Sequence, residues 1–296
     1  MNDIAILQNL EPQLDLRRAA RYTYDREQEV MMAQFLIATV ALAVGSVLGL
    51  RYPMARPYVA LFGFLVVLLD IFGLDRWQKR LNRLATKFAA AFDCVVLGLS
   101  WDSPALGECA STEDIVAAVT AFHKKYAGAA APDIYNWYMN IDADMSVERA
   151  RFICQPQSLW YDGVLRKAHV TIVLAIPFAV IVVLLAYALI HNLRMTDICL
   201  LLLPSGIFMG WSLRGITSQR DVIAAQIEQI KCLDKAMQSE RNGIISTPDC
   251  LTTSMAIQSS VFLRKGGTRQ IFPFIYDWKR AQMHNQATAA ALNVSP

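Results

Sequence analysis

Residues 30–50 read VMMAQFLIATVALAVGSVLGL, 21 positions without a charge. At 1.5 Å per residue, a helix over this run reaches roughly 30 Å, one hydrocarbon thickness. Three further apolar runs follow. They are Pro57 to Leu74, with a single Asp70 near its end; His169 to Ile190, with no charge inside; and Ile198 to Leu213, interrupted by Pro204-Ser205-Gly206. Each alone also suits a buried core helix. Four of them in 296 residues, arranged as two close pairs, are too many for one soluble core. The composition agrees: 55% apolar residues, 18% charged and a mean hydropathy of +0.32, against roughly 45–50% and about 25% in soluble domains. That balance excludes an ordinary cytosolic enzyme and a disordered chain. A net charge of +3 is too small for a nucleic-acid coat, and no direct DNA or RNA binding is expected.

The pairs read as hairpins. Only Arg51 to Arg56 separates the first two runs, with Pro53 and Pro57 marking the turn, and only His191 to Asp197 separates the last two. Such short links force antiparallel neighbours. Of the 28 Lys and Arg, 25 fall in the N-terminal segment, in 75–168 or after residue 213; the hairpin turns hold only Arg51, Arg56 and Arg194. Positive charge marks the cytosolic side. The expectation is an all-α membrane protein with four transmembrane helices as two hairpins and both termini cytosolic. Residues 1–29 form a cytosolic helix, 30–74 the first hairpin, 75–168 a cytosolic helical insert, 169–213 the second hairpin and 214–296 a cytosolic helical tail. No signal peptide is expected, because the first 29 residues are charged and no short apolar stretch opens the chain.

Within the cytosolic parts, Pro12 starts or kinks the first helix. Residues 75–101 carry Trp77, Leu81, Leu84, Phe88, Ala91, Val95 and Leu99 at helical spacing, an apolar stripe. The stripe suits a helix extending the second span onto its neighbours, and equally a coiled-coil seam. Ser111-Thr112-Glu113-Asp114 starts a helix running to about Tyr126. Gly128 to Pro132 reads as a linker, and a further helix from about Ser146 is expected to stop near Pro156. The tail shows one amphipathic helix at 218–240, with Ile223, Ile227, Ile230 and Met237 on one face, then a helix at 250–264 and a frayed end.

No catalytic constellation is legible. The four His, at 123, 169, 191 and 284, have no metal-ligand partner at helical spacing, and no GxSxG, Walker or GxGxxG pattern occurs. The six Cys have no CxxC pair and read as free, mostly buried thiols. No cofactor is expected. Asp70 is the unusual residue: a carboxylate inside a span is costly and often functional. It suits a pore or gate, and also an interfacial acid bonded to a neighbouring helix. Pro204 with Gly206 marks a bend in the fourth span, a candidate gating hinge. Arg149, Arg151, Arg166, Arg264, Lys265 and Arg269 are candidates for an anion, and Trp137, Tyr138, Trp160 and Tyr161 for stacking on a base. Of these, Arg149, Arg151 and Arg166 are the favoured phosphate ligands and Trp160 or Tyr161 the favoured base platform. A solvated helix face and a membrane-interface aromatic belt suit the same residues.

Several short stretches sharpen the picture. They are Ile6-Leu7-Gln8-Asn9, Phe92-Asp93 leading to Leu99-Ser100-Trp101, Ile153-Cys154-Gln155, Trp160-Tyr161-Asp162 and Leu165-Arg166, with Ile257-Gln258, Arg264, Pro273, Tyr276 and Arg280 in the tail. In this order around four spans, the chain resembles the SMODS-associating four-transmembrane effector family over nearly its whole length. The family's tail tends to read Pro, then Trp-Phe-Tyr, where this chain has Pro273-Phe274-Ile275-Tyr276-Asp277-Trp278. The resemblance implies an inner-membrane effector of bacterial anti-phage defence. Such an effector senses a cyclic nucleotide made after infection, acts as a homo-oligomer and permeabilises the membrane. The cyclic nucleotide is then a regulatory ligand and the lipid bilayer a partner. A non-conducting scaffold whose cytosolic helices recruit a protein is the alternative. A small transporter ranks last, because only the fourth span is broken.

Overall fold

The structure is a computed structural model that describes residues 2–128, 131–138, 141–244, 246–276 and 278–279; side chains at 42, 43, 50, 53, 177, 200, 201 and 203–208 lie outside the described set. The described residues form helices and connecting turns, with no strand among them. They are α1 (Ile4–Leu7), α2 (Glu11–Arg51), α3 (Arg56–Leu69), α4 (Asp75–Val96), α5 (Ser103–Leu106), α6 (Thr112–Tyr126), α7 (Val147–Ile190), α8 (Met195–Arg241) and α9 (Thr247–Gly267). A 3-10 turn at Pro53–Ala55 joins α2 to α3, and one π-helical turn, Asp70–Leu74, carries α3 into α4. Residues 129 and 130 of the 128–132 linker, Asp277, Arg280 and the rest of the tail's end lie outside the described residues.

Three helical stretches, Glu11–Gly49, Arg56–Val96 and Val147–Ile190, are long and apolar enough to cross a membrane. The run 198–213 lies inside α8, which is helical without interruption across residues 204–206. The expected stop near Pro156 is likewise absent: α7 is one helix of 44 residues. An internal proline costs about 3 kcal/mol. Phe152, Cys154, Gln155 and Leu159 on either side of it are all buried, and each large apolar side chain so placed returns about 1.5–3 kcal/mol. Pro12, in contrast, sits in the first turn of α2, where its missing N–H is no loss. Ser111, Ser146 and Ser246 cap α6, α7 and α9 by accepting from the backbone N–H of Asp114, Arg149 and Asp249.

α2 is the common wall, packing against α3, α4, α6 and α8; α7 packs along α8, and α4 against α9. One apolar cluster joins Met31 and Ala38 of α2, Leu165 and Val173 of α7, Trp211 of α8 and Phe272 beyond α9. A second gathers Ile4, Phe92, Leu97, Tyr138 and Cys154. A third joins Phe152, Leu159, Leu233 and Ile257.

The faces these helices bury match the expected apolar stripes only in part: Phe88, Ala91 and Leu99 are buried, and Ile223, Ile230 and Met237 pack against the core. On α4 the buried side chains include Gln78, Asn82 and Thr86, whereas Trp77 and Val95 are 48% and 47% exposed. On α8 the inward series is Val222, Gln226, Gln229, Leu233 and Ala236, and Ile227 points outward. For Gln78 and Asn82 the cause is the chain after α9. Residues 268–272 run without helical structure between α2, α4, α7 and α8, and their backbone groups need partners. Asn82 donates to the carbonyls of Lys265 and Thr268, both at 2.6 Å. Glu27 accepts from the Gln78 side chain at 2.8 Å and from the Gln270 backbone at 3.2 Å. Gln219 donates to the Arg269 carbonyl at 2.7 Å, and the Phe272 backbone donates to His169 at 3.4 Å. His169 is therefore an interior acceptor rather than an interfacial residue. Of the six thiols, Cys94, Cys154 and Cys250 are buried and Cys109, Cys199 and Cys232 exposed, so burial is less general than expected.

Two consequences are measurable. Arg151 donates to the carbonyls of Leu97 and Gly98 at 2.6 and 2.9 Å, closing the end of α4 where Gly98 adopts a φ of +60°. Arg151→Ala should lower stability by about 1.5–3 kcal/mol, read as a lower melting temperature in detergent, because charge-assisted bonds to buried carbonyls are lost. Glu27 precedes the charge-free run, and burial pushes its carboxyl up to about 7 despite the bonds from Gln270 and Gln78. Its contribution is complete below about pH 4.5 and is lost as pH rises through about 7. Glu27→Gln should therefore melt above the unmodified protein at pH 8, with the gap closing near pH 5.

Candidate functional site

The one carboxylate noted inside an apolar run of the sequence lines a cavity. A cavity of about 360 Å³ lies between α2, the α3–α4 junction and α8, lined by Gln34, Ala38, Val66, Asp70, Trp211 and Arg214 among others. Asp70 begins the π-helical turn, in which the Asp75 N–H reaches back to the Asp70 carbonyl. π turns inside helices are frequent at functional positions, because the extra residue re-aims the side chains around it. Gln34 donates to Asp70 at 2.9 Å, and Arg214 pairs with the other carboxylate oxygen at 3.3 Å. The Gln34 carboxamide oxygen is buried and finds no partner. The cavity thus has apolar walls and a polar end where three helices meet.

Below it lies a second polar set. Arg269 pairs with Asp75 at 3.0 Å, and its guanidinium lies 5.4 Å from the centre of the Trp211 ring, which lines the cavity. Arg166, 1% exposed, pairs with Asp162 at 2.6 Å, donates to Gln219 at 2.5 Å and reaches the Arg269 carbonyl at 3.5 Å. Burial raises the Asp162 carboxyl, but the charges of Arg166 and Lys265 outweigh it and hold the group below its usual range. A chain of contacts therefore runs from the interior of α7 to the cavity wall.

The five residues expected to hold a ligand all lie on α7, and they do not converge. Arg149 and Arg166 are 17 positions apart, about 25 Å along the helix. Arg151 is spent on the end of α4 and Arg166 on Asp162 and Gln219. Trp160 and Tyr161 stand edge to face, 5.3 Å between ring centres, and pack on the cluster around Phe272. Arg149 is half-buried with an unpartnered Nε. Arg17 covers the ring of Trp137 at 3.5 Å, and the Tyr138 hydroxyl donates to Asp93 at 2.7 Å. Of the expected residues, Asp70 faces this cavity, whereas Arg264 and Lys265 line a narrow seam between α8 and α9; the Pro204 side chain lies outside the described residues.

Arg214, Gln34 and Arg269 were missed as partners of the site. One signal was present: Asp70 lies near the end of its apolar run and Arg214 directly follows another. Nothing comparable marks Arg269, whose role depends on the path of the chain after α9. Among the described residues, no group of His, Cys, Asp and Glu has metal-holding geometry.

Comparison with curated proteins and with solved structures gives no match. The family model of the SMODS-associating 4TM effector domain matches residues 2–294, nearly the whole chain. The buried sets described above contain many of the residues that carried the resemblance: Asp93, Gln258, Asp162, Arg166 and Cys154 are interior or bonded to interior partners. The chain belongs to the SMODS-associating 4TM effector family.

Proposed function

We propose that this protein is a defence effector of the bacterial inner membrane that senses a cyclic nucleotide on its cytosolic side and permeabilises the bilayer. The four apolar runs act as four spans in two hairpins, with the charged parts and both termini in the cytosol. Membership of the family supports the membrane-effector role, and the placement of 25 of 28 basic residues supports the orientation. Four spans enclose no wide pore by themselves, so conduction requires a homo-oligomer, in which symmetry places copies around an axis.

The observation that carries the reading is the Asp70 cavity. A carboxylate, a carboxamide and a guanidinium meet there between three helices that reach the membrane and continue past it. In this reading the Asp70–Arg214 pair ties the second span to the fourth and holds the closed arrangement. A ligand that binds the open arrangement better shifts the population towards it. The exposed apolar side chains Trp77, Val95 and Val116 on α4 and α6 favour, as a second reading, a scaffold whose helices recruit a partner.

The test is dye leakage from liposomes carrying the full chain, with a panel of cyclic di- and trinucleotides on the charged side. Leakage triggered or suppressed by one nucleotide supports the effector reading. A folded, inserted protein that never leaks, but retains a partner in pull-down, supports the scaffold. Because Arg214 is largely exposed, its pair with Asp70 is weak. Arg214→Gln or Asp70→Asn should therefore raise nucleotide-independent leakage by only about two- to five-fold. The double variant should do no more than either single one, because both remove the same contact.

A further inference from the structure

The seam between α7, α8 and α9 gathers several buried polar atoms that find no partner. Gln226 and Gln229 of α8 face Arg264 and Lys265 of α9 across it, with Val222 and Val261 beside them. Both glutamines are more than nine-tenths buried. Neither polar atom of the Gln229 carboxamide has a partner, and the Gln226 oxygen and Arg264 Nη1 have none. Leaving such a group buried and unbonded costs about 1–3 kcal/mol. Arg264 and Lys265 form no ion pair within 4 Å among the described residues. Asp162, whose carboxylate feels the Lys265 charge, is already paired with Arg166 and also accepts from Gln226. Asp93, which Lys265 also faces, is bonded by Tyr138 and Gln258. The seam therefore holds two cations without an ion-pair contact of their own beside one wholly unbonded carboxamide, Gln229, and the unbonded oxygen of Gln226, and it is closed to a water-sized sphere. Gly163 completes it: a Cβ at that position would stand 3.2 Å from the Gln226 oxygen.

We infer that this seam opens to take a soluble nucleotide, Arg264 and Lys265 holding a phosphate and Gln226 and Gln229 bonding the edge of its base. The inference rests on the sensing reading above and names the place where sensing occurs. A guanidinium and an ammonium supply the charge-assisted bonds a phosphate needs. A carboxamide offers both donors and an acceptor, which suits a base edge. An anionic lipid headgroup presents the same phosphate, but Gln226 is 13 residues beyond Leu213, about 20 Å along α8, and Leu159 is about 15 Å before His169 on α7. The seam is out of a headgroup's reach.

The experiment is binding by the full chain in phosphatidylcholine nanodiscs, titrated with cyclic di- and trinucleotides and with inorganic phosphate. One nucleotide should bind, and the Arg264→Gln, Lys265→Gln double variant should bind it at least ten-fold more weakly. Gln229→Leu should weaken binding three-fold or more while raising the melting temperature, because it removes two unbonded atoms; a residue of purely structural value moves both in the same direction. Nucleotide binding unchanged in the double variant and in Gln229→Leu overturns the seam and leaves sensing intact. A wild-type protein that binds no nucleotide overturns the sensing reading and the seam with it. A double variant that binds nucleotide normally but loses a preference for nanodiscs containing phosphatidylglycerol assigns the two cations to lipid and also overturns the proposal.

Discussion

An unwound stretch of backbone inside a bundle of helices must find a bond for each of its polar groups, and residues 268–272 set the terms for everything packed around them. The helices answer with side chains rather than with their own backbones, whose groups are already paired. Asn82 from α4, Glu27 from α2, Gln219 and Arg166 from α8 and α7, and His169 from α7 all converge on this segment. Each helix must then present a polar residue at one height, and that requirement fixes its rotation about its own axis. Polar contacts of this kind reward one register and penalise slippage, because a displaced partner leaves a buried group unbonded.

This explains which features the sequence made legible. The apolar runs were readable because length and absence of charge report directly on membrane crossing. Caps at Ser111 and Ser146 were readable because they are local. The inward faces of α4 and α8 were legible only in part, because hydrophobic periodicity finds the apolar members such as Phe88 and Ala91 but assumes that only apolar residues point inward. Here Gln78, Asn82, Gln226 and Gln229 point inward and Trp77 and Ile227 do not. For Gln78 and Asn82 the tail's path supplies the reason, and it connects residues nearly two hundred positions apart. Pro156 was read as a stop on local grounds, and tertiary burial overrode it.

The candidate site was legible in part. Asp70 stood out because a charge in an apolar run is conspicuous, and the cavity beside it follows from that choice of residue. Arg151 and Arg166 looked like ligands because an arginine in a sequence carries no mark of its partner. Their donors turn out to serve a helix end and a buried carboxylate. Arg264 and Lys265 were anion candidates in the sequence too, but what separates them from Arg166, the absence of an ion pair among the described residues, is not encoded in spacing. The cavity and the α7–α8–α9 seam lie on the same helix, with Arg214 and Gln226 about 18 Å apart along α8. Between them, Gln219 bonds to both Arg166 and the Arg269 carbonyl.

The continuity of the long helices has a mechanical meaning. α2, α7 and α8 each hold more than 40 residues, over 60 Å of rod without an intervening loop. Packed helices slide and tilt as units. With the segment after α9 wedged near their middles, each rod is a lever with a fulcrum, and its two arms are of the order of 30 Å. A tilt of about 10° at the charged end moves the far end by roughly 5 Å, the rise of one helical turn. Small strains applied at one end are thereby amplified into a larger displacement at the other, with no joint in between to absorb them.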